Sequence, residues 1–315
     1  MQQGNIVTFR ENLEEAALRR AAERGGKPAD GISLVWLIVR REAARDAAAE
    51  PLLSSFLHAC ILSHGSFEEA LAFVLSKRLA SPCFLATELF ELFASVFARS
   101  PHIVEAAIED VRAVYQRDPA TTSYSHALLH YKGFHAVEAH RIANDLWTRG
   151  ERAIASALQS RMSEVFAADI HPGARFGKGI LLDHGTGVVI GETVVVGDYV
   201  SILQNVTLGG TGKEDGDRHP KISDNVLIGA SARILGNIRI GRSAQVAAGS
   251  TVLREVPPRT LVAGAPAREI GAITGNPALD MDQIQADTQI EAVTSERAAR
   301  RKWKGAAREP PEYLI

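Results

Sequence analysis

Residues 222–252 read ISDNVLIGASARILGNIRIGRSAQVAAGSTV, and this stretch decides the fold of the C-terminal half. An aliphatic residue recurs at every sixth position, and the residues between are mostly small, polar or glycine. The recurring residues are Ile222, Ile228, Ile234, Ile240, Val246 and Val252. A six-residue repeat is typical of a parallel β-helix, in which each repeat forms a short strand and a turn. The recurring residue is therefore expected to point inward and to stack on its equivalents in neighbouring coils.

The same period extends toward the N-terminus with two interruptions. The recurring residues there are Ile170, Phe176, Leu182 and Val188, followed after a slip of two residues by Ile190, Val196, Ile202 and Leu208. The repeat then stops over residues 209–221 and resumes at Ile222. An insertion that leaves the solenoid intact on both sides is expected to loop out from one corner, where functional residues are often found.

Residues 32–166 follow a helical period instead. Apolar residues are spaced three and four apart, as in Leu34, Leu37 and Ile38, which is typical of amphipathic helices. Roughly eight helices fit in this half. A capping residue before a proline predicts a helix start. Such pairs occur at Ser81-Pro82, Ser100-Pro101 and Asp118-Pro119.

These patterns divide the chain into four parts and predict an α + β fold. Residues 1–30 are polar and Ala-rich and are expected to form a flexible arm. Residues 31–166 are predicted as an all-helical domain, and residues 167–271 as the parallel β-helix with the insertion 209–221. Residues 272–315 are polar and are predicted as a flexible tail.

Composition limits the classes of function. The formal net charge of −2 gives no reason to expect nucleic acid or an anionic membrane as a partner. The N-terminus lacks the pattern of a signal peptide, and no apolar run reaches the roughly 18 to 20 residues of a membrane span. Cys60 and Cys83 lie in apolar helical patterns and are expected in the core, which argues against a disulfide framework or a cysteine-based zinc site. We therefore expect a cytoplasmic protein.

Several polar residues of the β-helix could carry chemistry: Asp169, Asp183 and His184 in the coils, and Arg218 and His219 in the insertion. A neutral histidine can take a proton from a hydroxyl, and a carboxylate can fix its tautomer. Arginine presents a planar fork to a carboxylate. Together these side chains suit an alcohol nucleophile on a substrate that bears a carboxylate. Taken singly, each has a structural alternative as a turn residue, a solenoid cap or a solvated loop tip.

Short motifs spread over residues 118–221 carry a resemblance to a known family. The narrowest are Leu182-Asp183-His184-Gly185-Thr186-Gly187 and Asp217-Arg218-His219-Pro220-Lys221. The others are Asp118-Pro119-Ala120, Lys132-Gly133-Phe134-His135, Ala139-His140-Arg141-Ile142, Asp169-Ile170-His171-Pro172 and Val206-Thr207-Leu208-Gly209-Gly210-Thr211-Gly212-Lys213. Together they resemble serine O-acetyltransferases, a family of hexapeptide-repeat acyltransferases, and the resemblance covers roughly residues 32–271.

This resemblance implies a reaction and its catalytic residues. Acetyl-CoA and L-serine give O-acetyl-L-serine and CoA, the first step of cysteine synthesis from serine, and no metal is implied. The resemblance implies His184 as the general base, Asp169 as its orienting partner and His219 beside the reacting centre. Because the hydroxyl attacks the thioester directly, no acyl-enzyme is required.

The resemblance also implies the serine-binding residues. Asp118 and Asp183 would meet the ammonium, and Arg218, with His219 beside it, would meet the carboxylate. Asp118 precedes Pro119 and also makes a good helix N-cap, which is the structural alternative for this residue. The family match favours the substrate role.

For the cofactor, the resemblance implies a groove between neighbouring solenoids of a trimer. Small residues let the pantetheine arm approach the backbone, and the candidates are Gly210, Ala230, Ala248 and Gly249. Gln245-Val246-Ala247-Ala248-Gly249 stands where many relatives have Lys-Ile-Gly-Ala-Gly. A basic contact to a CoA phosphate is therefore missing or supplied elsewhere, with Arg268 as the candidate.

Assembly and regulation also follow from the resemblance. The β-helix would be left-handed, and the solenoids would form trimers that the helical domains join into a hexamer, with the helical domain forming part of the substrate site. L-cysteine would inhibit by occupying the serine site. The C-terminal Ile315 would insert into O-acetylserine sulfhydrylase; the alternative is an ordinary tail with an apolar last residue.

Two other functions stay open on the same scaffold. One is a hexapeptide acetyltransferase for a sugar or another amino acid, because the solenoid alone does not define the acceptor. The matches at Asp118 and Arg218 favour serine. The other is a metal-dependent hydratase, which would need His171, His184 and His219 to converge on zinc.

Overall fold

A computed structural model describes residues 31–212 and 215–282. The predicted arm and residues 283–315, including Ile315, lie outside the described residues. Among the described residues, helices occupy most of the chain from Gly31 to Phe166, and a parallel β-helix begins at Ala168. The predicted fold class, a helical half followed by a parallel β-helix, is confirmed.

Eight α-helices lie in the described residues up to Phe166. They are α1 Gly31–Ala49, α2 Ser54–Leu57, α3 Phe67–Leu79, α4 Ala86–Arg99, α5 Pro101–Arg117, α6 Tyr124–His130, α7 Lys132–Thr148 and α8 Arg152–Phe166. A 3-10 turn (Pro51–Leu53) and a π turn (His58–Leu62) flank α2. The buried faces of these helices and the interior of the β-helix form one continuous apolar core. Within the described part, no helix is long and apolar enough to cross a membrane.

One of the three predicted helix starts is correct. Pro101 begins α5, with Ser100 before it. Ser81-Pro82 lies instead in a turn closed by a bridge from Ser81 to Phe84. Asp118 ends α5, and its carboxylate accepts a hydrogen bond from the backbone N–H of Ala120 in a local turn. This hydrogen bond stabilises a turn and does not begin a helix, so the N-cap alternative for Asp118 is wrong.

The β-helix is built from three parallel sheets, closed at its C-terminal end by one antiparallel pair. The strands are β1 Ala168–Ile170, β2 Arg175–Phe176, β3 Leu181–Leu182, β4 Val188–Ile190, β5 Val195–Val196, β6 Ser201–Ile202, β7 Thr207–Gly209, β8 Lys221–Ile222, β9 Leu227–Ile228, β10 Arg233–Leu235, β11 Arg239–Ile240, β12 Gln245–Val246, β13 Thr251–Val252, β14 Thr260–Gly264 and β15 Ala267–Ala272. Sheet 1 contains β1, β4, β7, β10 and β13; sheet 2 contains β2, β5, β8 and β11; sheet 3 contains β3, β6, β9, β12, β14 and β15.

Two of the three corners of the triangular coils carry candidate site residues. The chain passes from sheet 3 to sheet 1 at the first corner, which comprises residues 183–187, 203–206, 229–232 and 247–250. It passes from sheet 1 to sheet 2 at the second corner, which comprises residues 171–174, 191–194, 210–220 and 236–238. The insertion therefore lies at the second corner, because it connects β7 to β8.

The two-residue slip lies at the first corner. Ile190 pairs in register with Ile170 and Leu208, so Ile190 is the inward residue that follows Leu182. Val189 pairs with Thr207, so the two additional residues lie in the segment 183–188, where His184 and Gly185 both have positive φ, 57° and 69°. With these two additional residues, the turn projects outward from the regular coil. Both interruptions of the repeat thus fall at corners that carry candidate site residues.

The helical half packs closely on the coil that carries Asp183. A Cβ at Gly133, in the first turn of α7, would overlap the carbonyl oxygen of Leu182. Deeper in the same interface, buried Arg141 bonds to Asp110 and to the carbonyl oxygen of Gly177. The start of α7 is therefore held against the first corner.

Two predictions about the core and the tail need correction. Cys83 is exposed because the segment before α4 is a surface turn rather than a helix, and Cys60, in the π turn His58–Leu62, is only half-buried. The predicted tail starts too early at residue 272. Ile273 and Ala278 are buried, and the turn α9, Pro277–Asp280, covers the outer face of sheet 3. The hydroxyl of Ser201 in β6 donates to the carbonyl of Ala278, so the folded part extends to residue 282.

Candidate active site

The first corner presents a histidine beside a carboxylate. The side chain of His184 is 71% exposed, and that of Asp183 is 21% exposed. The Nε2 atom of His184 lies 3.8 Å from Oδ1 of Asp183. The outward turn therefore leaves the imidazole open to an incoming hydroxyl while the carboxylate stays partly sheltered.

A second carboxylate reaches this corner from the helical half. Asp118 follows α5, and its Oδ2 accepts a hydrogen bond of 2.6 Å from the hydroxyl of Tyr131. The next residue, Lys132, contacts the hydroxyl of Thr186 through its ammonium group. These contacts bring the end of α5 and the start of α7 to the turn 183–187.

Burial and mutual repulsion set the electrostatics of this corner. Burial raises the pKa of Asp183, the neighbouring Asp118 adds to that rise, and His184 acts in the opposite direction. Burial and the bond to Asp118 raise the pKa of Tyr131 to about 12. Two carboxylates that repel each other across a sheltered space are suited to a cationic group such as an ammonium.

The second corner holds the other predicted substrate residues. The guanidinium of Arg218 lies 3.0 Å from Oε2 of Glu192 and is 31% exposed. His219 is buried and fits against Gly191, where a Cβ would overlap its ring. Its Nδ1 accepts a hydrogen bond of 3.2 Å from the backbone N–H of Thr193. The insertion is therefore anchored to the preceding coil.

The surroundings of His219 favour the neutral imidazole, which has one ring N–H to donate. Burial lowers its pKa, and the charges of Arg218 and Lys221 lower it further. Because Nδ1 accepts from Thr193, the proton of the neutral ring is on Nε2. The second corner thus offers one N–H donor and one guanidinium, which suits a carboxylate or a developing negative charge.

The predicted residues do not all come together within one chain, because Asp118, Asp183 and His184 meet at the first corner and Arg218 and His219 lie at the second. Sheet 1 separates the two corners, and the three residues of β4 span about 10 Å at roughly 3.3 Å per residue. Asp169 is the middle residue of β1, where its carboxylate accepts a hydrogen bond of 2.7 Å from Gln159. His184 instead pairs with Asp183. The proposed Asp169 and His184 dyad stays a prediction, and within one chain each has another partner.

The cofactor candidates fall into two groups. Ala230, Ala248 and Gly249 lie at the first corner, in coils that come after the one that carries Asp183. The N–H of Gly249 donates a hydrogen bond to the carbonyl of Ala230. Gly210 lies at the second corner, where its Cα faces Arg218. Of the two residues considered for phosphate contact, Gln245 is buried, and its side chain donates to the carbonyl of Asp282. Arg268 is exposed on β15.

The three histidines considered as zinc ligands do not converge in one chain. His171 and His219 are neighbours at the second corner, whereas His184 lies at the first. Among the described residues, no group of three or more histidine, cysteine, aspartate or glutamate side chains has an arrangement that could hold a metal ion.

Sequence reasoning missed several residues that shape the two corners. Glu192 and Thr193 anchor the insertion, and they show no sequence signal beyond their place in a turn. Lys132 and Thr186 belong to motifs of the family resemblance, which could have indicated their role. Tyr131 precedes one of these motifs but is not part of it.

Comparisons with known proteins agree with this geometry. The family described as "Serine acetyltransferase, N-terminal" matches residues 35–139, and "Bacterial transferase hexapeptide (six repeats)" matches residues 219–254. Serine acetyltransferase 4 of Arabidopsis thaliana is 58% identical over 76% of this chain and 67% of its own length. The chain belongs to the serine acetyltransferase family. Serine acetyltransferase of Salmonella typhimurium is 50% identical over 81% of this chain and 94% of its own length.

Solved structures of this acyltransferase family include bound states. A soybean serine acetyltransferase complexed with serine is 57% identical, with a TM-score of 0.75 over 76% of this chain and 99% of that chain. A Brucella abortus serine acetyltransferase in complex with coenzyme A is 48% identical, with a TM-score of 0.75 over 76% and 96%. A serine acetyltransferase complex with cysteine is 46% identical, with a TM-score of 0.78 over 79% and 97%.

Proposed function

We propose that this serine acetyltransferase family member transfers the acetyl group of acetyl-CoA to the hydroxyl of L-serine. The observation that carries the proposal is the first corner, where an exposed imidazole stands beside Asp183 and Asp118. An ammonium bound by the two carboxylates would bring the serine hydroxyl to His184. The soybean relative complexed with serine and the Brucella relative with coenzyme A support these substrates.

The proposed mechanism is direct attack. His184 takes the proton of the serine hydroxyl as its oxygen attacks the thioester carbon, and a tetrahedral intermediate forms. When this intermediate collapses, the carbon–sulfur bond breaks and the imidazolium of His184 returns the proton to the CoA thiolate. The Nε2–H of a neutral His219 is suited to stabilise the negative oxygen of the intermediate.

We further propose that each site is formed by two chains. Arg218 and His219 lie at a different corner from His184, so a carboxylate bound by Arg218 requires the second corner of a neighbouring β-helix. Gly210 belongs to that same corner, whereas Ala230, Ala248 and Gly249 line the first. The pantetheine arm would then lie in the groove between the two solenoids, as expected for a trimer. A hexamer formed through the helical domains stays a further prediction.

Inhibition by L-cysteine is part of the proposal. Cysteine differs from serine only by sulfur in place of oxygen, and one relative has been solved in complex with cysteine. We expect L-cysteine to compete with L-serine, which initial-rate kinetics at several serine concentrations would measure. A pattern uncompetitive with serine would contradict this.

The tail partner and the cytoplasmic location stay predictions, and Ile315 lies outside the described residues. Deletion of Ile315 is expected to abolish binding to O-acetylserine sulfhydrylase and to leave acetyl transfer intact, as a pull-down and a rate assay would show. Unchanged binding would reject that role for the tail.

The experiment that tests the function is release of CoA from acetyl-CoA with and without L-serine. Wild-type protein is expected to release CoA in the presence of serine, and His184→Ala is expected to be slower by about 10²- to 10⁴-fold. Exposed His102 is outside the site, so His102→Ala is a matched control that should retain the wild-type rate. Absence of serine-dependent release in the wild type would reject the function, and a near-normal rate in His184→Ala would reject only the role of His184.

A further inference from the structure

Asp118 is oriented by two fixed donors. Its Oδ2 accepts a hydrogen bond of 2.6 Å from the hydroxyl of Tyr131, and its Oδ1 accepts one of 2.8 Å from the backbone N–H of Ala120. A carboxylate oxygen has more than one acceptor site, so each oxygen can still accept from a bound ligand. The plane of the carboxylate is thus set by the protein before any ligand arrives.

Tyr131 is itself held in place. Its ring meets the ring of His126 edge-on, with ring centroids 5.4 Å apart and an interplanar angle of 89°. Its backbone directly precedes α7, whose Gly133 packs against the carbonyl of Leu182. The tyrosine hydroxyl is therefore anchored to the same coil that carries Asp183.

The hydroxyl stays a donor at ordinary pH. Burial and the bond to Asp118 raise the pKa of Tyr131 to about 12, and the charge of the nearby Asp183 raises it as well. The protonated hydroxyl donates to Asp118 and so offsets part of the repulsion between that carboxylate and Asp183. It does so without adding a positive charge that would compete with an ammonium.

We propose that Tyr131 is a positioning residue of the amine subsite: its hydroxyl aims Asp118 at the α-ammonium of the substrate and so favours amino acids over hydroxy acids that lack the amine. This inference rests on the proposed function. It assigns Tyr131 a role through Asp118 rather than in the acetyl transfer itself. Loss of the hydroxyl is therefore expected to weaken substrate binding more than the chemical step.

The test is the Tyr131→Phe variant, assayed by CoA release. Tyr131→Phe leaves Asp118 free to turn away from the amine, and the cost of ordering that side chain when serine binds is expected to raise KM for L-serine by about 3- to 10-fold. The interaction is expected to be equally strong in the ground state and the transition state, so kcat should change by less than about threefold. The inhibition constant of 3-hydroxypropanoate, which is serine without its amine, should stay within about twofold because that molecule does not use Asp118.

Tyr199→Phe is the matched control. The hydroxyl of Tyr199 also bonds to a carboxylate, Glu109 at 3.4 Å, but Tyr199 lies in residues 197–200, at the corner between sheets 2 and 3. Its KM for serine should equal that of the wild type.

Three results would overturn the inference. An unchanged KM for serine in Tyr131→Phe contradicts it. Equal weakening of serine and 3-hydroxypropanoate also contradicts it, because that result indicates general damage to the site. If the wild type shows no serine-dependent release at all, the proposed function fails, and the role of Tyr131 fails with it.

Discussion

Glu138 lies fully buried beside Asp110, where the single guanidinium of Arg141 faces both carboxylates. Arg141 bonds to Asp110 at 2.5 Å, whereas its Nε is 3.5 Å from Glu138. Burial raises the pKa of Glu138 well above its ordinary value, and repulsion from Asp110 adds to the rise, while Arg141 acts against it. Glu138 is therefore protonated in the folded chain over part of the pH range in which it is ionised when unfolded.

This shift predicts how stability depends on pH. A carboxyl group with a raised pKa in the folded state stabilises fully below its unfolded pKa of about 4.3, and that contribution is lost as pH rises through the folded value. The amide introduced by Glu138→Gln is always neutral and has nearly the same shape as the glutamate side chain. When the pH is raised from about 5 to about 8, the free energy of unfolding of this variant should therefore fall less than that of the wild type. Urea unfolding midpoints at the two pH values, at one protein concentration, measure this.

Glu164→Gln is the control for this prediction, because the side chain of Glu164 is 71% exposed at the surface. Its urea midpoints should follow the wild type at both pH values. A Glu138→Gln variant whose midpoint falls as much as that of the wild type would show that Glu138 is already ionised in the folded protein.

At the scale of single residues, the sequence predicts which side chains could take part in chemistry better than it predicts which residues they contact. Asp183 and His184 can be predicted because they interrupt a regular repeat, and in the structure Nε2 of His184 lies 3.8 Å from Oδ1 of Asp183. The bond from Tyr131 to Asp118 joins residues on different elements and depends on how α7 packs against the β-helix. That packing is a tertiary contact, and no local pattern encodes it.

At the scale of elements, the β-helix coils could be predicted because each inward residue must be apolar to stack on its equivalents. The inward residues Ile190, Leu208 and Ile234 indeed pair in register on sheet 1. Helix starts were harder, because a capping residue before a proline also suits a turn. Asp118-Pro119 fits a helix start and a turn equally well. The structure has a turn there, and α6 begins after Ser123, whose side chain accepts a hydrogen bond from the N–H of His126.

The contact between α7 and the β-helix makes a prediction about Gly133. A Cβ there would overlap the carbonyl oxygen of Leu182, which is backbone and cannot move aside cheaply. Gly133→Ala should therefore shift the start of α7 and destabilise the protein by about 1–3 kcal/mol, the usual range for overpacking. It should also lower kcat/KM for serine, because Asp118 and Tyr131 would move relative to Asp183.

Gly65→Ala is the matched control. The nearest neighbour of its Cβ would be the flexible carboxylate of Glu69 at 3.3 Å. Thermal unfolding and CoA release of Gly65→Ala should both stay close to the wild type. If Gly133→Ala behaves in the same way, the close packing at Leu182 does not hold the site together.

At the scale of the whole molecule, the two interruptions of the repeat lie at two different corners. The slip carries His184 outward at the first corner, and the insertion carries Arg218 and His219 at the second. The insertion follows Leu208, four repeats after Leu182, so at three repeats per coil the sequence itself places the two interruptions at different corners. Because the corners are separated, the proposed active site is shared by two chains.

Mixed assemblies of two inactive variants test this claim most directly. His184→Ala lacks the proposed base of the first corner, and Arg218→Ala lacks the guanidinium of the second, so each alone should have little serine-dependent CoA release. In a trimer formed by co-expression of both, an interface that joins the intact first corner of one chain to the intact second corner of its neighbour should be active. Random mixing makes such interfaces about one quarter of the total, so about a quarter of the wild-type rate should return. A mixture no faster than the two variants measured separately would contradict the shared site.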